Sequence, residues 1–443
     1  MPSLTDIRFL QSVLTKLDAE KPAGTGRLGQ TEHQDREGDL LQRLRLEAFS
    51  QEGKARVLLT GQIGVGKSSE LWHFFRQRVL EKPRTGFWVY CDLEKKEHPE
   101  RCGATGVFLT ILRDCWAATK SLKDELRFSS QSTSRRFYSI RNDILERLID
   151  WLKGERSLEG MEVIFRFGGM DFPVRLNDKD SALALILGKA AQHEAVSART
   201  ERFGLVPDKL VNLLNGLFEW LKSFHSGLSP LLIIDHVDKI RDETAAREVL
   251  VEVVPQWQRI KASIIMTAPY EFTLGEMRYS VESYWGKPLM VYPLPFPELD
   301  DETIPPFYED LIMSCGLSQN IEFYSLRMLA HYSGGIPRTF VQFVIQSCKE
   351  AYLARHERIM ASDAQTVVYA AERAYQDYGL SELELLDQIA ESKTGLSAAS
   401  TLLRSPIGLL VMSPEKGQSN LRIHPLAENL LERYRTNIEE VKS

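Results

Sequence analysis

Residues 61–68 read Gly-Gln-Ile-Gly-Val-Gly-Lys-Ser, a G-x-x-x-x-G-K-S pattern with the residue types and spacing to hold a chain of phosphates. Gly61, Gly64 and Gly66 allow backbone turns that a side chain would block, so successive N–H groups can curl around a β-phosphate at a helix N-terminus. Lys67 would bridge the β- and γ-phosphates, and the Ser68 hydroxyl would ligate Mg²⁺. Gln62, Ile63, Val65 and Ser69 complete the expected cradle. An apolar run, Val57-Leu58-Leu59, leads into it, and the helical pattern Glu70-Leu71-Trp72-His73-Phe74-Phe75 leads out. That context distinguishes the segment from a chance glycine turn. The expected ligands are ATP or ADP, with Mg²⁺.

A second apolar run, Leu231-Leu232-Ile233-Ile234, ends in Asp235. An acid at the C-terminal end of a buried strand is placed to hold Mg²⁺ through water beside Ser68. The next residue is His236, where rapid ATPases often carry an acid to orient the attacking water. Asp238 is the nearest replacement for that acid, and it serves equally as a turn or helix cap. A third run, Ser263-Ile264-Ile265-Met266, is closed by Thr267, whose hydroxyl could sense a γ-phosphate or fix the water. Arg278 follows, either as a finger reaching a neighbouring copy's nucleotide or as a solvated surface arginine.

These groups need a scaffold that brings strand ends together. The strands expected at Val57–Thr60, Phe87–Leu93, Leu231–Asp235, Ser263–Thr267 and Leu289–Tyr292 are short and apolar, as strands buried on both faces must be. Helical spacing between them gives an α/β fold, a P-loop NTPase parallel sheet. Helical patterns at 4–17 and about 37–49 precede the loop, and residues 1–55 form an N-terminal helical segment. The ATPase domain spans 56–297, with an insertion at about 120–228. That insertion holds helices near 137–153, 180–198 and 207–225 and a hairpin signal at 161–176 around Gly168-Gly169. After Pro293–Pro297 the alternation stops, and residues 298–378 read as an all-helical lid. Residues 379–443 show helix, helix, hairpin, helix, the order of a C-terminal winged-helix domain.

The chain has 443 residues, 43% of them hydrophobic, and a formal charge of −6. That is ample for real cores, and it argues against a globally basic nucleic-acid coat. No run approaches the roughly 18 apolar residues of a membrane helix, and no signal-peptide core opens the chain, so a cytoplasmic location is expected. Five cysteines without C-x-x-C spacing point to neither zinc nor a disulfide framework.

With these residues in order, the first 300 or so positions resemble the AAA+/STAND branch of P-loop ATPases. Three further segments extend the resemblance. Asp35-Arg36-Glu37-Gly38-Asp39-Leu40-Leu41 is similar to a segment lying near the adenine, which implies Arg36 in nucleotide binding. Ser333-Gly334-Gly335-Ile336-Pro337-Arg338 resembles both the G-L-P-L motif, whose proline packs on the base, and the arginine-bearing turn of AAA+ lids. Pro337 can restart a helix there, and Arg338 can point toward phosphates. Leu421-Arg422-Ile423-His424-Pro425-Leu426 resembles the winged-helix segment whose histidine touches the ADP β-phosphate, although Pro425 stands where that segment has Asp. His424 either takes that role or caps the last helix.

The resemblance implies a slowly hydrolysing regulatory ATPase, a nucleotide-dependent switch that assembles with a protein partner or with itself. Bacterial regulators of this architecture often serve antiviral defence or transcription control. A second reading is an initiator- or transposition-type ATPase that binds DNA through its winged helix. The expected recognition helix, 396–404, offers only Arg404 with Lys393 nearby, which is thin for phosphate contacts. A metabolic kinase would need a substrate site that no residue marks.

Overall fold

The computed structural model describes residues 3–17, 40–49, 54–81, 86–94, 102–118, 161–167, 170–176, 207–224, 229–273, 275–374, 380–391, 410–413 and 420–442. The sequence expectations at 137–153, 180–198 and 396–404, and Arg36, lie outside them.

The central sheet contains β1 (Arg56–Thr60), β2 (Gly86–Asp92), β5 (Ser229–Asp235), β6 (Ser263–Ala268) and β7 (Leu289–Met290), in the spatial order β2-β5-β6-β1-β7. Every pairing in it is parallel. Alternation along each strand sends successive side chains to opposite faces. Leu58, Leu232, Ile234, Ile264 and Met266 therefore enter one core with α4 (Ala104–Ala118) and the helices Pro207–Phe224 and Gly275–Trp285. Val57, Leu59, Leu231, Ile233 and Ile265 enter the other, with α2 (Leu40–Phe49) and α3 (Lys67–Glu81). Burial on both faces explains why β5 and β6 are continuous apolar runs.

The connection between β5 and β6 was not legible as a helix. It runs Glu243–Arg247, one π turn at Glu248–Glu252, then Val254–Arg259. The π turn has a use, since Glu248 Oε2 accepts from Ala104 N and so caps α4 at 3.2 Å. The hairpin of β3 (Met161–Phe167) and β4 (Met170–Leu176) forms with Met161 opposite Leu176.

A separate core joins the helical lid, the tail and the N-terminus. The lid helices are Pro306–Cys315, Phe323–Tyr332, Pro337–Leu353 and Ala361–Ala374. Tail residues Leu386, Leu426 and Leu431 pack with them, and so do Leu10 and Val13 of α1 (Ile7–Lys16). Thus α1 docks on the lid while α2 docks on the sheet. The tail shows helix Leu380–Ala390, the antiparallel pair β8 (Leu410–Ser413) and β9 (Asn420–Ile423), and helix Pro425–Lys442. All five cysteines are free and buried. Among the described residues no helix is long and apolar enough to cross a membrane.

Candidate nucleotide site

The ends of β1, β2, β5 and β6 deliver the site's polar residues to one edge of the sheet. Gly61, Gly64 and Gly66 all have positive φ, at 152°, 86° and 101°. Added bulk would not fit, since a Cβ at Gly61 would lie 2.4 Å from Val291 O. The turn therefore has room for backbone only, and α3 begins directly after it at Lys67. Ile63 is exposed at its rim, whereas Gln62, Val65 and Lys67 are buried and Ser68 and Ser69 are partly so. This is a P-loop NTPase fold.

No family model matches the sequence, and no curated protein does either. Among solved structures the chain is similar to Cdc6p of Pyrobaculum aerophilum, at 13% identity over 92% of this chain and 96% of that one, with a TM-score of 0.40. The ORC2 protein of Aeropyrum pernix gives 12% identity over 99% and 98%, at 0.43. A Walker-type ATPase of Pyrococcus abyssi gives 14% over 94% and 99%, at 0.45. At these scores the likeness is partial, and the fold assignment stands on strand order and loop geometry.

The Lys67 ammonium is fully engaged. Its Nζ donates to Gly61 O at 2.7 Å and Gln62 O at 2.8 Å, and pairs with Asp238 Oδ2 at 2.8 Å. Burial works to raise the Asp238 pKa, but the charge and hydrogen bond of Lys67 outweigh it and hold the carboxyl below its ordinary value. Asp238 Oδ1 is buried without a hydrogen-bond partner among the described residues.

Asp235 is completely buried at the end of β5. Burial raises its pKa, helped by Asp238 and opposed by His236 and by the hydrogen bonds from Tyr90 and Ser68. Tyr90 OH donates to Oδ2 at 2.5 Å, and the His236 N–H donates to Oδ1 at 2.8 Å. Tyr90 is itself held by Trp72 and Phe75, and burial followed by the Asp235 charge pushes its phenol well above the ordinary range.

His236 has φ 70° and ψ 16°, the left-handed region, which costs a residue with a Cβ about 1–2 kcal/mol. Its ring is buried, with Nδ1 2.8 Å from Asp92 Oδ1 and Nε2 3.2 Å from Ser68 Oγ. Burial disfavours the imidazolium, yet the Asp92 hydrogen bond and the Asp235 charge more than compensate, and the pKa lies above its usual value. Sequence spacing singles out neither Asp92 nor Tyr90, and it marks His236 only as a non-acid directly after Asp235. A signal existed for Asp92, which like Asp235 is an acid ending an apolar strand.

Thr267 is buried, and its Oγ1 accepts from Val237 N at 3.1 Å, tying β6 to the turn after β5. Arg278 lies apart, pairing along its own helix with Glu282 at 2.8 Å.

The lid reaches the loop through its glycine turn. Gly334 and Gly335 have φ 59° and 75°, and Pro337 opens the next helix. Leu294 N donates to Gly335 O at 2.8 Å, and Arg338 N donates to Gly64 O at 3.4 Å. A Cβ at Gly64 would lie 2.9 Å from Ile336 Cγ2 and 3.2 Å from Arg338 Cβ, so the lid covers the loop directly. His424 sits behind that turn. It is buried, its Nδ1 accepts from Leu426 N at 3.2 Å, and it hydrogen-bonds the Ser333 backbone. The last helix is thereby capped and the tail is joined to the lid turn.

These residues fit a nucleotide with its cation. The glycine turn runs straight into the N-terminus of α3, a ready place for an anion, and Asp238 presents an unpartnered oxygen beside Lys67. Ser68 and Asp235 would hold Mg²⁺, which supplies neutralisation of the phosphate charge when bound.

Proposed function

We propose that the chain is an ATP-binding, slowly hydrolysing regulatory ATPase of the AAA+/STAND type, a switch that assembles with a protein partner or with itself. The observation that supports this reading is the contact of the lid turn with the loop, where Ile336 and Arg338 meet Gly64. A lid seated on the phosphate loop must respond when phosphates enter it. The Lys67–Asp238 pair adds a second element, because a triphosphate must compete with a buried carboxylate for the same ammonium. Asp238 is then both the lysine's resting partner and, once released, the acid available to orient water. Slow hydrolysis follows, since His236 rather than an acid comes directly after Asp235.

Duplex DNA is the alternative partner. Arg435, one of the described tail cations, is already paired with Asp387 at 2.7 Å and so is less available to a DNA phosphate. The test is to identify the nucleotide that co-purifies and to measure assembly size with ATP, ADP and duplex DNA, for wild type and Lys67→Ala. Assembly that requires ATP and is absent in Lys67→Ala is expected. DNA binding that requires ATP would replace the switch reading with the initiator reading.

A further inference from the structure

His236 distinguishes this site from one lined by oxygen donors alone, and its placement carries an inference that rests on the nucleotide-binding reading above. The left-handed turn at His236 directs the ring inward between β2 and α3. Residues held in such a conformation persist only where their surroundings fix them. Here Asp92 does so, accepting from Nδ1 at 2.8 Å. With Asp92 accepting from Nδ1–H, the neutral ring carries its lone pair on Nε2, as in many metal-bound histidines, so a cation bound there takes the place of the proton that the neighbouring carboxylates favour.

That second nitrogen faces the two residues expected to hold the cation. Nε2 lies 3.2 Å from Ser68 Oγ and 3.6 Å from Asp235 Oδ2. Two ligands about 2.1 Å from one cation are separated by about 3.0 Å at a right angle and about 3.4 Å at a tetrahedral angle. The Nε2–Ser68 separation falls between those spans, and Asp235, which holds the cation through water, stands just outside them. The geometry points to His236 Nε2 as a nitrogen ligand of the divalent cation that accompanies the nucleotide, with Asp92 as its positioning partner. Glu94 Oε2 is also 3.5 Å from Nε2, but it stands half-exposed at the rim, paired with Lys239. One consequence concerns which metal binds. A site with an imidazole ligand gains affinity for cations that accept nitrogen, such as Co²⁺ or Ni²⁺, relative to Mg²⁺.

The experiment uses the full chain with a non-hydrolysable ATP analogue and Mn²⁺, read by pulsed electron paramagnetic resonance for ¹⁴N coupling to the metal. Coupling is expected in wild type and lost in His236→Asn, chosen because Asn tolerates the left-handed backbone. In parallel, analogue binding is titrated with Co²⁺ and Mg²⁺. His236→Asn should lower the preference for Co²⁺ by about tenfold or more, and Asp92→Asn should shift it the same way while keeping the ring. Analogue bound with Mn²⁺ but without ¹⁴N coupling in wild type overturns the ligand assignment and leaves nucleotide binding standing. Coupling that survives unchanged in His236→Asn overturns it too. Failure to bind the analogue with or without any cation overturns the nucleotide reading and this inference together.

Discussion

The floor of the site and the seam beneath the lid are built from opposite materials. On the floor, Lys67, Asp92, Asp235, His236 and Asp238 are buried ionisable side chains whose partners are mostly one another. In the seam each of these hydrogen bonds has a main-chain group as at least one partner: Leu294 to Gly335, Arg338 to Gly64, His331 Nδ1 to Pro297 O at 2.9 Å, and His424 to the Ser333 backbone. Buried charges respond strongly to an incoming phosphate or cation, because their interactions are little screened. Main-chain contacts respond to shape. The floor is thus suited to sensing charge, and the seam to passing a change of loop shape into the lid and tail.

If that division holds, the largest effect should come from the floor. Lys67→Ala leaves Asp238 buried without its ammonium, which costs about 3–5 kcal/mol. Asp238→Ala should cost less, since Lys67 keeps the carbonyls of Gly61 and Gln62. The double variant should be more stable than Lys67→Ala alone. Denaturant unfolding of the three variants checks the order, and equal costs for the two single changes would show that the pair is not the floor's main tie.

The seam is tested by a contrast between two glycines of the same conformation. Gly335 and Gly286 both have φ 75°, but a Cβ at Gly335 would lie 2.1 Å from Leu294 O, whereas one at Gly286 meets nothing within 4 Å. Gly286→Ala should therefore cost only the left-handed penalty of about 1–2 kcal/mol, and Gly335→Ala about 3 kcal/mol, because the backbone contact must also open. Hydrogen exchange at Leu294 should rise in Gly335→Ala alone. Unchanged protection there would remove the seam's shape-sensing role.

Much of the floor was legible in sequence because its strands are short apolar runs ending in chemistry: Thr60-Gly61, Asp235, Thr267. The loop's glycines could be read one by one, since each needs a backbone that only glycine adopts readily. What escaped was long-range pairing. Asp92 and His236 are 144 residues apart, and Tyr90 and Asp235 are 145 apart, so no local spacing marks either pair. The left-handed turn at His236 was equally hidden, because histidine does not announce positive φ as glycine does. The docking of α1 on the lid was invisible for another reason. Its apolar stripe of Leu10, Val13 and their neighbours specifies that a face is buried but not against what.

The smallest expected effect tests His424, a fully enclosed imidazole on the tail side of the seam. Burial, with His331 as the opposing neighbouring charge, pushes its pKa down to about 4, although the Ser333 backbone bond favours protonation. The folded value lies below the ordinary 6.5, so between the two the unfolded chain binds more protons. Stability from this group is therefore full above about pH 6.5 and falls as pH drops toward 4, with a slope of up to about 1.4 kcal/mol per pH unit. His424→Gln should cost about 1 kcal/mol at neutral pH through its lost hydrogen bonds, and it should flatten that slope. Thermal unfolding of both proteins from pH 7.5 to 4 separates the cases. If the slope persists in His424→Gln, the acid sensitivity lies in groups other than His424, the buried carboxylates of the floor among them.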